Sequence, residues 1–535
     1  MDILTIIPWQ LVPIELFQLI LTHADFLTQI RLRCVCKTFH KKLEIHDFYH
    51  IDKYLQLLSS YVLRSYPFIT ILNAENNPNI ANVNFLTRLE VLNASGICSL
   101  SDDGIFDLNL IELNADSNSA ITDVNHMTRL RSLNANGTCG IGDGGIRDLK
   151  LTHLYANNNP NITDLNHMTQ LEVLSASGPY DCGISDASIR GLNLIEFYSI
   201  DNPSITNLNH MSKLKRVSAV GHCGIDDAGI SCLNLTELDA ESNSKITNVN
   251  HMTRLEILDA SGKSCGIGDE GISKLNLRKL NAFDNDKITD LNHMTRLEIL
   301  DVSGYSYGGY YYGIGDKGLA NLNLTKLNAG RNVNITNVNH MNKLTKLNAS
   351  YECGIGDKGI SNLNLRNLGT DNNSKITNVN HMTQLEKLDA GRTCGINDKG
   401  IQILSLKKLC IYNNRKITNL NHMTKLDILF ASGKCGVNDA GIAKLDLTKL
   451  YAGWNPKITN VTHMSNLKIL DASGECGIDL NGIKGLTLTK LNDENNLKLR
   501  RADGLKMTEY IVIVLIIVVI GFVFYYYWRD SDEKN

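Results

Sequence analysis

Leu324 to Val338 reads L-T-K-L-N-A-G-R-N-V-N-I-T-N-V, and Leu344 to Ile360 reads L-T-K-L-N-A-S-Y-E-C-G-I-G-D-K-G-I. Both stretches carry L-x-x-L-x-A, then Asn or Cys, then Ile. Alternate residues of a strand share a face, so Leu327 and Ala329 point inward together. Asn332 or Cys353 ends the strand, and Ile335 or Ile355 re-enters the core. Asp143, Asp269, Asp316 and Asp357 stand two residues after that Ile. There a carboxylate oxygen is placed to cap a short helix. One such turn cannot bury its apolar residues alone and needs neighbours stacked on it.

The pair of stretches recurs. The tripeptide Asn-His-Met, once Thr-His-Met, places His126, His167, His210, His251, His293, His340, His381, His422 and His463 at intervals of 41 to 47 residues, and Phe85 holds the same phase before them. A fixed period of this size marks a solenoid. Leu72, Leu92, Leu113 and Leu133 through Leu470 and Leu491 mark about 21 strands, which at roughly 4.8 Å each predict a ribbon on the order of 100 Å long. From about Ile69 to Leu497 the pattern resembles the leucine-rich repeat, with Ala where that family usually has a third Leu. The second stretch is similar to the cysteine-containing variety, through Cys353-Gly354-Ile355-Gly356-Asp357-Lys358-Gly359-Ile360. The expected fold is an α/β solenoid.

Several features look like chemistry and read as repeat structure. Gly140 to Gly145 matches G-x-G-x-x-G, as do Gly266 to Gly271, Gly313 to Gly318 and Gly354 to Gly359. The next strand follows too soon for a dinucleotide-binding βαβ unit. Histidines in phase sit two turns apart, about 10 Å, too far to share a metal. They are expected to be partly buried and bonded to backbone. The repeat cysteines are equally far apart, which predicts reduced, buried small hydrophobes rather than disulfides. No catalytic constellation, metal site or cofactor is expected. Hydrophobic residues at 43% and charged residues at 20% exclude general disorder, and a net charge of −3 excludes a globally basic nucleic-acid binder.

Residues 1–50 have another character, without glycine and with helical apolar spacing. Pro13 stands at a helix start with Leu16, Leu19 and Ile20 on one face. Ile30 to Phe39 is again apolar at three- and four-residue spacing. The plain reading is a helical cap on the solenoid. The segment also resembles an F-box, through Pro13, Glu15, Leu16, Ile20, Leu21, Asp25, Leu32, Val35, Cys36, Lys37 and Phe39. Val12, Ala24 and Thr28-Gln29 depart from that family's pattern. The resemblance implies a substrate receptor of a cullin-type ubiquitin ligase. Pro13, Glu15, Leu16, Leu19, Ile20, Leu32, Val35 and Phe39 would then engage a Skp-family adaptor, and the repeats would hold a protein target. Residues 51–68 read as a helical linker and 69–506 as the solenoid with its cap. The Asn-, Ile- and Tyr-rich repeats also resemble those of proteins from giant viruses of amoebae.

Tyr510 to Trp528 carries no charge and at 1.5 Å per residue is about 28 Å long. With its flanks it predicts a transmembrane helix at 507–529, followed by a short tail at 530–535. Lys498, Arg500, Arg501 and Lys506 before it predict a tail-anchored, single-pass membrane protein with its bulk in the cytosol. The rival to the receptor reading is a membrane-anchored adhesion or scaffold protein with no ubiquitin role.

Two features bear on a partner. Position three of the first-half strands runs Glu112, His153, Glu196, Glu237, then Lys279, Lys326, Asn367, Lys408, Lys449 and Lys490. On the concave strand face this acidic-then-basic order either orients a dipolar target or is a solvated surface paired with neighbours such as Glu386 and Asp427. The one longer period carries the insert Tyr305 to Tyr312. Tyr305, Tyr307, Tyr310 and Tyr311 there have the composition of an adaptable recognition loop. A tolerated insertion reads the same.

Overall fold

Lys326–Asn328 and Lys346–Asn348 are three-residue strands paired in parallel, with Leu327 opposite Leu347. The same unit builds the rest of the computed structural model, which describes residues 17–18, 21, 26–33, 39, 42–49, 55–179, 182–304 and 313–500. The chain divides into two units, Met1–Leu277 and Arg278–Asn535. In the first, the short strand Asp47–Phe48 pairs with Ile71–Asn73, and nine more strands follow in parallel to Ile257–Asp259. In the second, eleven parallel strands run from Lys279–Asn281 to Lys490–Asn492. Within each unit every strand lies beside its neighbour in sequence, which is the stacking a solenoid requires.

The core is one repeated set of side chains. In the copy that starts at Leu324, the residues Leu324, Leu327, Ala329, Ile335, Val338 and Met341 are all buried. The residue that ends the strand is a buried polar one. Asn373 donates its Nδ2 to the carbonyls of Ala349 at 2.7 Å and Ile355 at 3.1 Å, and its Oδ1 accepts from Lys375 N at 2.9 Å. Asn118, Asn159, Asn202, Asn243, Asn332, Asn414, Asn455 and Asn496 repeat the arrangement. The two carbonyls lie 24 and 18 residues back in most turns, so each amide ties its turn to the one before. In the alternate half the smaller Cys139, Cys223, Cys353 or Cys394 occupies the matching place, also buried.

The expected aspartate caps are corrected by the structure. The residue before the short helices that these four aspartates begin is Gly142, Gly268, Gly315 or Gly356, and none supplies a side-chain cap. Asp143 and Asp357 reach forward instead. Asp357 accepts from Thr377 N at 2.7 Å and from Thr377 Oγ1 at 2.5 Å, and Asp143 does the same with Thr163. A carboxylate therefore joins two turns rather than finishing one helix.

Asn-His-Met works in three directions. Asn339 reaches the next turn, donating to the Lys358 carbonyl at 2.7 Å and accepting from Asn362 N at 2.8 Å. His340 reaches the previous turn, with Nε2 at 3.0 Å from the Leu319 carbonyl. Met341 points into the core. His210, His251, His381, His422 and His463 make the same contact, so these rings are bonded to backbone as expected, but they and His340 are exposed rather than partly buried.

The expected transmembrane helix at 507–529 is also corrected. Among the described residues no helix is long and apolar enough to cross a membrane. The longest described helix, Phe26–Arg33, has 8 residues, about 12 Å against a hydrocarbon layer near 30 Å. Residues 507–529, with the apolar run 510–528, lie outside the described residues. Membrane contact and a single-pass placement therefore have no structural support and are set aside.

Two adjacent glycines test the stacking. A Cβ on Gly145 would lie 2.0 Å from the Thr122 carbonyl oxygen of the preceding turn, whereas one on Gly144 would meet nothing within 4 Å. Gly145→Ala is expected to cost about 2–3 kcal/mol by overpacking, and Gly144→Ala to be neutral or to gain up to about 1 kcal/mol of helix propensity. Urea unfolding of the two variants side by side measures the difference.

Candidate protein-binding surfaces

The dinucleotide-like motifs resolve into packing. Gly140, Gly145, Gly271, Gly318 and Gly359 all lie where a Cβ would come within 2.5 Å of a backbone carbonyl of the turn before. The cysteines among the described residues are free. Burial pushes the thiols of Cys139, Cys353 and Cys435 up to about 11 from 9.0, because a buried thiolate loses its hydration. Among the described residues no group of His, Cys, Asp and Glu could hold a metal.

What remains for function is the surface of the sheet. In the K-L-N strands before the last, the Leu is buried and its two neighbours face out, so the exposed face carries two rows of side chains. In the second unit the first row runs Lys279, Ile299, Lys326, Lys346, Asn367, Lys387, Lys408, Ile428, Lys449, Ile469, Lys490, each paired with the next. Lys279 and Lys326 are exposed; Lys408 and Lys449 are half-buried. Lys346 and Lys387 belong to the same row and were missed, because they sit on second-half strands and only the first-half column was read. Lys326 lies directly opposite Lys346, and Lys387 opposite Lys408. Like charges in register destabilise a sheet, so this row invites an anionic partner.

Glu386 does not relieve it, being held by Arg366 at 3.1 Å and Lys407 at 3.2 Å. Asp427 accepts from Thr448 Oγ1 at 2.5 Å. In the first unit the expected acidic row is partly neutralised. Arg216 lies between Glu196 and Glu237 in register and pairs with both, at 3.1 and 3.3 Å. Beside the lysines the second row turns aromatic. Phe430 stacks on Tyr451 with centroids 4.3 Å apart, and Lys408 Nζ lies 4.9 Å from the Phe430 ring centre. Cys410 sits between Asp389 and Phe430 in this row, its thiol pushed up to about 12 by burial, with Asp389 adding to the shift. Tyr305, Tyr307, Tyr310 and Tyr311 lie outside the described residues.

The N-terminal module is locked to the first turn. Arg33, at the end of the helix Phe26–Arg33, is buried, with its guanidinium 4.7 Å from the Tyr66 ring centre and Nη2 at 3.4 Å from the Ser65 carbonyl. Gln18 exchanges two hydrogen bonds with the backbone of Glu44, at 2.7 and 2.8 Å. Phe48, on the first strand, packs 5.1 Å from Tyr66. Helix, linker and sheet thus meet around one arginine and two rings. Across residues 9–51 the chain matches the F-box domain.

The chain carries an F-box domain. Within the F-box, Phe39 is buried with its ring 4.6 Å from that of Phe17, and Leu21 is buried as well; these side chains pack the F-box itself. Leu32 is half-buried on the helix Phe26–Arg33. Pro13, Glu15, Leu16, Leu19, Ile20 and Val35 lie outside the described residues.

Beyond the F-box, the chain is similar to several solved structures. A TLR13–ssRNA13 complex matches at 16% identity over 81% of this chain and 79% of that one, TM-score 0.44. The functional domain of InlJ from Listeria monocytogenes, described as including a cysteine ladder, matches at 21% over 76% and 68%, TM-score 0.25. The Rad7 and Elc1 complex in yeast matches at 15% over 55% and 80%, TM-score 0.30. Superpositions this loose carry no functional argument. No curated protein matches the chain.

The thiol shifts carry a sign. A thiol raised in the fold stabilises the fold fully below its unfolded value of 9.0, and that stability is lost as pH rises toward the folded value of about 11. Thermal melts from about pH 8 to about pH 10.5 are therefore expected to fall, and to fall less in Cys353→Ala. A curve that stays flat in both would contradict thiol burial.

Proposed function

We propose that this protein is a substrate receptor of a cullin-type ubiquitin ligase, in which the F-box binds a Skp-family adaptor and the repeats hold a protein target. It supplies binding and no catalysis. The observation that carries the reading is the F-box at residues 9–51 directly before the repeats. A receptor has to hold its target at a set distance from the adaptor, and Arg33 with Tyr66 and Ser65 fixes the F-box helix on the first turn. The lysine row on the outward sheet face of the second unit, with Lys279, Lys326, Lys346 and Lys387 exposed and Lys408 and Lys449 half-buried, offers a target a surface of one sign. Such a surface raises encounter rates and fixes orientation more than it adds affinity.

The apolar face that holds Leu16 and Ile20 would enter the adaptor, since buried aliphatic anchors dominate interfaces of this kind. Co-precipitation of a Skp-family adaptor with the full chain tests this, beside a Leu16→Asp, Ile20→Asp double variant. Capture by the native chain and loss by at least about a hundredfold in the variant is expected, since two desolvated charges cost several kcal/mol. Equal capture by both, or capture by neither with the repeats folded, would reject the receptor reading.

A further inference from the structure

Nearly every turn places one residue in left-handed backbone two positions after the residue, usually alanine, that follows the strand. Sibling turns fill that place with glycine, as at Gly433 and Gly474, or with short polar residues, as at Asn372 and Asn413. These types adopt positive φ at least cost. Four long side chains break the pattern: Arg331 at φ 63°, Tyr351 at 62°, Arg392 at 53° and Trp454 at 62°. All four fall in the second unit. Strain retained at four positions of one unit points to a use for the side chains.

Their arrangement supplies one. Arg331 lies 4.2 Å over the Tyr351 ring, and Arg392 reaches the Tyr351 hydroxyl at 3.2 Å and pairs with Asp371. Farther along, Arg392, Tyr412, Arg415, Lys416, Lys434 and Trp454 line an open groove of about 810 Å³. Trp454 is 55% exposed and Tyr412 is 42% exposed. The indole rests on Gly474, where a Cβ would lie 2.3 Å from its Cε2, so the glycine seats the ring. Glu475 is the one acid in the wall. Lys416 gives its Nζ to the Cys394 carbonyl at 2.9 Å. Neither Arg415 nor Lys434 has an ion-pair partner among the described residues.

We infer that this groove docks an acidic segment of a protein target. Its carboxylates meet Arg415, Lys416 and Lys434, and an apolar side chain lies against Trp454 and Tyr412. The inference deepens the receptor reading and rests on it, since it takes the repeats as the part that holds a target. A wall of exposed aromatics and cations would also stack a single-stranded nucleic acid. Glu475 opposes a continuous phosphate chain, whereas it can accept a peptide N–H. The peptide is therefore the occupant the groove favours.

The test is fluorescence anisotropy on the purified full chain. The probes are a labelled Asp/Glu-rich peptide with one central Phe, the same peptide with Lys for every acid, and an oligouridine RNA. Trp454→Gly installs a residue that sibling turns carry, so it keeps or raises the melting temperature while removing the ring. Arg415→Glu with Lys434→Glu changes only exposed positions. The acidic peptide alone is expected to bind, and each variant to weaken it at least about tenfold. No binding of the acidic peptide, equal binding of the basic peptide or the RNA, or unchanged affinity in both variants would overturn the inference. Adaptor capture is measured on the same preparations. Capture without acidic-peptide binding removes the groove alone, and peptide binding without capture removes the receptor reading alone.

Discussion

A buried asparagine amide that bonds two carbonyls of the turn before it is the constraint on which the rest of the structure depends. Asn373, Asn414 and Asn455 each carry a side chain that water does not reach. Buried polar groups left unpaired cost far more than a paired one contributes, so each amide admits only one position for the neighbouring turn. Position is therefore specified by hydrogen bonds, and burial of Leu, Ile and Met supplies the gain that apolar packing gives any solenoid. The forward carboxylate of Asp357, the forward amide of Asn339 and the backward ring of His340 repeat that logic on the side where the short helices lie. The turn glycines follow from it, because turns drawn this close leave no room for a Cβ.

With spacing set from inside, the outward positions are released from structural duty. That freedom lets one unit hold a lysine row whose members repel one another in register, and lets four long side chains occupy backbone that glycine would fill more cheaply. Neither feature helps the fold. Both become intelligible if the second unit meets an acidic protein, and the F-box seated on the first turn through Arg33 and Tyr66 gives that meeting a purpose. The lysine row and the Trp454 groove lie on the same unit.

Much of this was legible in the residues. L-x-x-L-x-A announced the strands because alternation is a property of the chain alone, and the F-box pattern survived its departures. What escaped reading depended on register or on backbone shape. Lys346 and Lys387 join the row of Lys326 and Lys408 only when the two kinds of strand are interleaved. Asp357 looked like a cap because its partner, Thr377, stands a whole turn away in sequence. The Trp454 groove has a signal in the sequence: Arg331, Tyr351, Arg392 and Trp454 stand in a column otherwise filled by Gly, Asn, Ser and Asp. The apolar run 510–528 suggested a membrane helix by composition, and nothing among the described residues bears that out.

The central claim is that the amide ladder, more than the apolar core alone, holds turn upon turn. The most direct measurement is urea unfolding of Asn373→Ala beside Asn367→Ala, six residues away on the exposed face of the sheet. Loss of the three buried hydrogen bonds at Asn373 is predicted to cost about 3 kcal/mol, with Asn367→Ala within about 0.5 kcal/mol of the native chain. Equal and small effects from both would show that the turns hold their spacing without the ladder, and the account would fail at its base.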